Sequence, residues 1–152
     1  MKYNSLTESF IYQMEQTTAY CREKGEQYLK AINAGLTIDQ FVAIDILSNN
    51  SGICQMDLAK MLLRDRVYTS RILSTLEEKG LVERKIRAKG KVMIKEITLT
   101  KDGLNLHSEI KGELKAIYDK VFEEITDAEM EVISNGIMKL KDCISKFTIM
   151  PL

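Results

Sequence analysis

The sequence predicts a mainly α-helical fold with one small β-hairpin. Apolar residues recur at three- and four-residue spacing along most of the 152 residues. The only proline is Pro151, so no pyrrolidine ring interrupts a helix before the end of the sequence. One segment, 81–99, instead shows an imperfect alternation about a Lys89-Gly90-Lys91 tip, the pattern of two short strands. The chain is 45% hydrophobic and 29% charged, enough to bury a core and too apolar for compositional disorder. Cys21, Cys54 and Cys143 are odd in number and widely spaced, so no disulfide framework or metal knuckle follows and a reducing cytoplasm is expected. No apolar run approaches the ~18 residues of a membrane span, and no signal-like apolar segment follows Met1.

The elements follow in order. Residues 5–32 form one long helix carrying Leu6, Phe10, Met14, Thr17, Cys21 and Tyr28 near helical spacing. Thr37-Ile38-Asp39-Gln40 has the form of a capping box and opens a second helix with Phe41, Ile44 and Leu47 on one face. Asn49-Asn50-Ser51-Gly52 stops it. A short helix over 54–63 has Leu58, Met61 and Leu62 as its apolar residues, and another over 67–79 has Ile72, Leu73 and Leu76 as its inner face. Gly80 closes that helix. Strands are expected over 81–87 and 92–99. Thr100 is the N-cap of a helix reaching 121 on Leu106, Ile110, Leu114, Ile117 and Val121. Thr126-x-x-Glu129 is a second capping box, and Met130, Ile133, Ile137, Leu140, Ile144 and Phe147 stripe the helix behind it.

Zero net charge, from 22 basic and 22 acidic residues, conceals an uneven distribution. Residues 1–53 hold 4 basic and 6 acidic side chains, 54–101 hold 12 and 6, and 102–152 hold 6 and 10, giving −2, +6 and −4. A basic middle between acidic ends marks a polyanion-facing module on a scaffold that does not itself face the polyanion. The bland alternative for the hairpin is a solvated basic surface. Two short helices joined by a tight turn and followed by a basic hairpin make a winged helix-turn-helix, whose second helix enters the major groove of DNA. Its outward residues would be Tyr68, Ser70, Arg71, Ser74 and Thr75, with Arg71 able to fork to guanine and Arg66 suited to a phosphate. Arg84, Arg87, Lys89 and Lys91 would carry the hairpin along the adjacent minor groove. The terminal helices have longer apolar stripes than so small a module can cover, which predicts a homodimer. The expected organisation is an N-terminal dimerisation helix over 1–35, a DNA-binding winged helix-turn-helix over 36–100, and C-terminal dimerisation helices over 101–152.

Several motifs in fixed order carry a resemblance: Leu36-Thr37-x-x-Gln40-Phe41, Asp57-Leu58-Ala59, Asp65-Arg66 leading to Ser70-Arg71, Leu76-Glu77-Glu78-Lys79-Gly80-Leu81-Val82, Leu99-Thr100-Lys101-Asp102-Gly103, and Thr126-x-x-Glu129. Over nearly its whole length the chain resembles the multiple antibiotic resistance regulator (MarR) family of bacterial transcription factors. The resemblance implies a dimeric DNA-binding repressor that binds a pseudopalindromic operator. It also implies release from DNA by a small phenolic or lipophilic effector, or by cysteine oxidation. The effector pocket it implies lies between dimer helices and DNA-binding lobe, here the region of Tyr12, Tyr20, Phe41 and Ile44. The sequence departs from the family at the hairpin, where Lys91-Val92-Met93 stands in place of an Asp-Arg-Arg-like group. The arginine that would enter the minor groove is missing from its usual place, with Arg87, Lys89 and Lys91 nearby.

Cys54 has two readings, a redox or electrophile sensor favoured by a helix N-terminus and a small residue standing where Ser or Thr often serves as cap; the second is preferred. Cys21 and Cys143 are expected as small core residues, with a bridge across subunits as the alternative. Cys21 does not coincide with the peroxide-sensing position of the family, which falls near Gln13. His107, the single histidine, is expected on a solvated helix face, since a zinc site needs three or four ligands. No nucleophile–base pair or phosphate loop argues for an enzyme, and no cofactor is expected. The alternative function is a winged-helix protein-interaction module without readout of DNA sequence.

Overall fold

The computed structural model describes residues 9–89 and 92–146, except for the side chains of Arg87, Lys89 and Val92. In chain order the elements are α1 (Phe10–Ala31), α2 (Ile38–Asn49), β1 (Ile53–Cys54), α3 (Gln55–Leu62), α4 (Arg66–Glu78), β2 (Val82–Lys89), β3 (Val92–Leu99), α5 (Lys101–Val121) and α6 (Asp127–Ser145). The chain divides into two compact units, the first ending at Ile110 and the second beginning at Lys111.

Capping chemistry sets most helix starts in the first unit. Ser9 Oγ accepts from the Tyr12 N–H at 3.1 Å and starts α1. The Thr37 hydroxyl accepts from Gln40 N–H at 3.3 Å while Gln40 Oε1 accepts from Thr37 N–H at 3.0 Å, so both halves of the expected capping box form. Glu26 Oε1 accepts the Ile38 N–H at 2.8 Å, which ties α1 to the first turn of α2. Thr100 Oγ1 accepts from Gly103 N–H at 3.1 Å at the start of α5 and donates to the Gly80 carbonyl at 2.6 Å. Gly80 itself has φ +69°, the left-handed conformation expected of the residue that closes α4.

The core gathers Leu29 from α1, Ile44 and Leu47 from α2, Leu58 from α3, Leu73 and Leu76 from α4, Ile97 from β3 and Ile110 from α5, all fully buried. Burying side chains of this size is worth roughly 1.5–3 kcal/mol each before the entropy of ordering is set against it. The sheet is antiparallel in the order β1-β3-β2. The hairpin register runs from Val82 opposite Leu99 to Lys89 opposite Val92, and Ile53 pairs with Ile97 on the other edge of β3.

In the second unit, Thr126 and Glu129 form the other expected capping box, the hydroxyl accepting from Glu129 N–H at 3.3 Å and Glu129 Oε2 accepting from Thr126 N–H at 2.9 Å. These bonds hold the Glu129 carboxyl below the usual carboxylate range, the backbone donor being the larger cause. Tyr118 and Phe122 stack at 5.9 Å where α5 ends. None of the residues of α6 is buried, and Val132, Ile133, Ile137, Met138 and Ile144 are exposed.

The structure corrects several sequence expectations. The helix expected over 54–63 starts at Gln55, behind a two-residue strand at Ile53–Cys54, while Cys54 is the N-cap of α3, the capping position expected of it. Residues this few carry no alternation; their pairing with β3 makes them a strand. Of the apolar residues named on α3, Leu58 is buried and Met61 is exposed. Cys21 and Cys143 are exposed, not core. His107 is buried at 6% exposure, because α5 turns Gly103, His107 and Ile110 inward. Its Nε2 lies 2.7 Å from Asp45 Oδ1 and its ring stacks on Phe41 at 6.1 Å. Leu6, Phe147 and the Gly90-Lys91 tip lie outside the described residues.

Candidate nucleic-acid interface

The turn between α3 and α4 is built by three local devices. Leu63 caps α3 in the left-handed conformation, φ +53°, which reverses the chain sharply. Asp65 then starts α4, its side chain accepting from the Tyr68 N–H at 2.8 Å. Gln55 Nε2 donates to the Arg66 carbonyl at 3.1 Å, holding the first turn of α4 against the start of α3. Thr69, Ile72, Leu73 and Leu76 are buried, and Thr69 Oγ1 donates to the Asp65 carbonyl at 2.8 Å, so the rotation of α4 about its axis is fixed. The opposite face, with Arg66, Val67, Ser70, Arg71, Ser74 and Thr75, lines a shallow open groove with Gln55.

The expected DNA-facing residues divide by what they touch. Arg66, Ser70 and Arg71 lie in the groove, and the two arginines make no ion pair among the described residues. Thr75 is in the groove with its hydroxyl donating to the Arg71 carbonyl at 3.1 Å. Arg84 turns away from solvent: Nη2 lies 2.5 Å from Glu77 Oε2 and donates to Ser74 Oγ at 3.1 Å. This strap binds the stem of the hairpin to α4 and engages Ser74 as well. Arg87 and Lys89 are placed on β2 by the backbone register, and their side chains, like Lys91, lie outside what is described.

Tyr68 is a correction to the sequence reading. Its hydroxyl donates to Asp39 Oδ2 at 2.8 Å instead of facing a base or phosphate. Asp39, near the start of α2, is the centre of a cluster. Arg22 of α1 donates to Oδ1 at 2.7 Å, Arg64 approaches both oxygens at 3.3–3.4 Å, and the Arg64 guanidinium stands 5.6 Å from the Tyr68 ring centre. Burial raises the Asp39 carboxyl, but the Arg22 and Tyr68 hydrogen bonds and the two guanidinium charges outweigh it and hold the carboxyl below its ordinary value. The hydrogen bond to Asp39, with burial and the carboxylate's charge, pushes the Tyr68 phenol up, so it stays a donor. One carboxylate thus joins α1, α2 and the start of α4. The sequence showed Asp39 only as a first-turn acid, since its partners stand 17 to 29 positions away.

The effector-pocket residues implied by the resemblance differ widely in exposure. Ile44 is fully buried, Phe41 is buried against His107, Tyr12 is half-buried and Tyr20 is 62% exposed. Cys54 is half-buried, and its Sγ donates to Asp57 Oδ2 at 3.2 Å. No group of three or more His, Cys, Asp or Glu side chains suited to a metal ion occurs among the described residues, and none of their helices is long and apolar enough to cross a membrane.

The sequence profile of the MarR family matches residues 36–89, from just before α2 to the end of β2. The helix-turn-helix-type transcriptional regulator SarZ of Staphylococcus haemolyticus is 32% identical over 145 residues, which cover 95% of this chain and 93% of SarZ. The chain belongs to the MarR family. Solved structures share the fold of this MarR-family chain. The Staphylococcus aureus MepR–DNA complex superposes with a TM-score of 0.78 at 22% identity, covering 92% of this chain and 99% of MepR. A MarR/EmrR-family transcriptional regulator from Acinetobacter sp. ADP1 superposes at 0.82 and 20% identity, covering 90% and 95%. The architecture is therefore a winged helix-turn-helix carrying long terminal helices, with β1 as a third strand beside the wing.

Proposed function

We propose that this MarR-family chain is a transcriptional regulator that binds double-stranded DNA as a homodimer, reading a pseudopalindromic operator and repressing adjacent genes. The observation that carries the reading is the outward face of α4: a helix locked in rotation, presenting Arg66 and Arg71 with no ion pair among the described residues, beside the base of a hairpin rich in cations. Two arginines on the exposed face of the second helix of a helix-turn-helix suit phosphate and guanine contacts. That SarZ is a helix-turn-helix-type regulator and that MepR has been captured with DNA support the same reading. The exposed apolar residues of α6, together with Phe10, Ile11 and Tyr20 of α1, support burial of the terminal helices in a second copy.

The test is fluorescence anisotropy of the purified protein on the duplex upstream of its own gene, titrated at several salt concentrations against a scrambled duplex. The expected result is preferential binding to the upstream duplex, with affinity falling steeply as salt rises. Absence of binding to either duplex at low salt, from a folded dimer, would reject the reading in favour of a protein-interaction module.

A further inference from the structure

Val67 is the one apolar side chain on the outward face of α4, and nothing in the fold explains it. It is 63% exposed, in the first turn of the helix. Arg66 precedes it, and Ser70, Arg71 and Ser74 follow at the i+3, i+4 and i+7 positions that share its face. A β-branched residue is a poor helix former, and on a water-facing turn it gains no burial that would offset this. Single exposed apolar residues are common on protein surfaces. This one, however, lies within the polar groove that α4 presents, on a turn whose rotation is fixed by the buried Thr69 and by Gln55 holding the Arg66 carbonyl. The N-terminal half of a recognition helix is the part that meets base edges. In the major groove only one base edge is apolar, the thymine C5 methyl, and small branched side chains pack against it.

We infer that Val67 is a specificity residue that recognises a thymine methyl in each half-site, in the step beside the base pair contacted by Arg71. The inference rests on the DNA-reading function proposed above and names part of the sequence read. Two methyl groups on a rotamer-restricted side chain form a stiff apolar contact that neither cytosine nor uracil satisfies.

The experiment uses the full chain. A preferred duplex is first selected from a randomised pool with the wild-type protein, and each thymine in it is then replaced singly by deoxyuridine, which deletes only the 5-methyl group. Anisotropy titrations follow with wild type, Val67→Ala and Val67→Thr. Expected is one thymine per half-site whose replacement weakens wild-type binding by roughly three- to fivefold, the value of one buried methyl. Val67→Ala should bind the thymine and deoxyuridine duplexes equally at that position, with an unchanged melting temperature. Val67→Thr, which keeps the branch and one methyl, should fall between. Retention by Val67→Ala of the full preference for thymine over deoxyuridine, or a selected duplex with no methyl-sensitive position, would overturn the assignment while leaving DNA reading intact. Failure of the wild-type protein to select any sequence would overturn both.

Discussion

Arg22, Arg64 and Arg84 lie against carboxylates, whereas Arg66 and Arg71 make no ion pair among the described residues. The division separates cations that hold the fold from cations offered outward. Arg71→Ala should therefore weaken operator binding by about 1–3 kcal/mol and relax preference at one base pair, with the melting temperature unchanged. Anisotropy on single-base-pair variants of the selected duplex checks it; an equal loss on all sequences would assign Arg71 to phosphate instead. Asp39 gives a prediction of a different kind. Its carboxyl is lowered in the folded chain, so it contributes stability that is present above the unfolded value, about 3.9. That stability is lost as the pH falls through the folded value. Between pH 7 and pH 3, wild type should lose more stability to urea than Asp39→Asn, whose amide does not titrate. Parallel losses would show that the cluster contributes no such linkage. Ser70, Arg71, Ser74 and Thr75 on the outward face of α4 were legible in the sequence from its amphipathic pattern, whereas Val67 was not named and Tyr68 turned to Asp39. The Asp39 cluster and the engagement of Arg84 were not, since a pairing between residues far apart in sequence leaves no mark at any local spacing.

At the scale of elements, both capping boxes, the closure of α4 at Gly80 and the start of α5 at Thr100 were readable in side-chain chemistry alone, whereas α1, expected from residue 5, starts at Phe10 behind the Ser9 cap. β1 was not, because two residues become a strand only when β3 is beside them. His107 was misplaced on solvent because a lone polar residue in an amphipathic pattern defaults outward, whereas here Asp45 and Phe41 receive it. The contact between α5 and Leu81, the residue before β2, is the tightest consequence of this packing. A Cβ on Gly103 would stand 2.1 Å from the Leu81 carbonyl oxygen, a backbone atom that cannot turn aside. Gly103→Ala should cost about 1–3 kcal/mol in denaturant unfolding. Gly112→Ala, on the same helix with nothing within 4 Å, should stabilise by about 0.5–1 kcal/mol. Equal effects at the two positions would contradict the packing described.

For the whole molecule, the proposed dimer makes folding a function of concentration. The melting temperature should rise with protein concentration, and Ile137→Glu on α6 should lower it and abolish that dependence. Sedimentation of the two proteins provides the check; an unchanged dimer in the variant would move the interface off this face of α6. The strap from Arg84 to Glu77 and Ser74 has an implication for how DNA is met. It joins the hairpin stem to α4 before any duplex arrives, so the two probes approach the helix at an angle already chosen. Binding then need not organise one against the other, and the entropy of that step is lost during folding, once, instead of at every encounter with an operator.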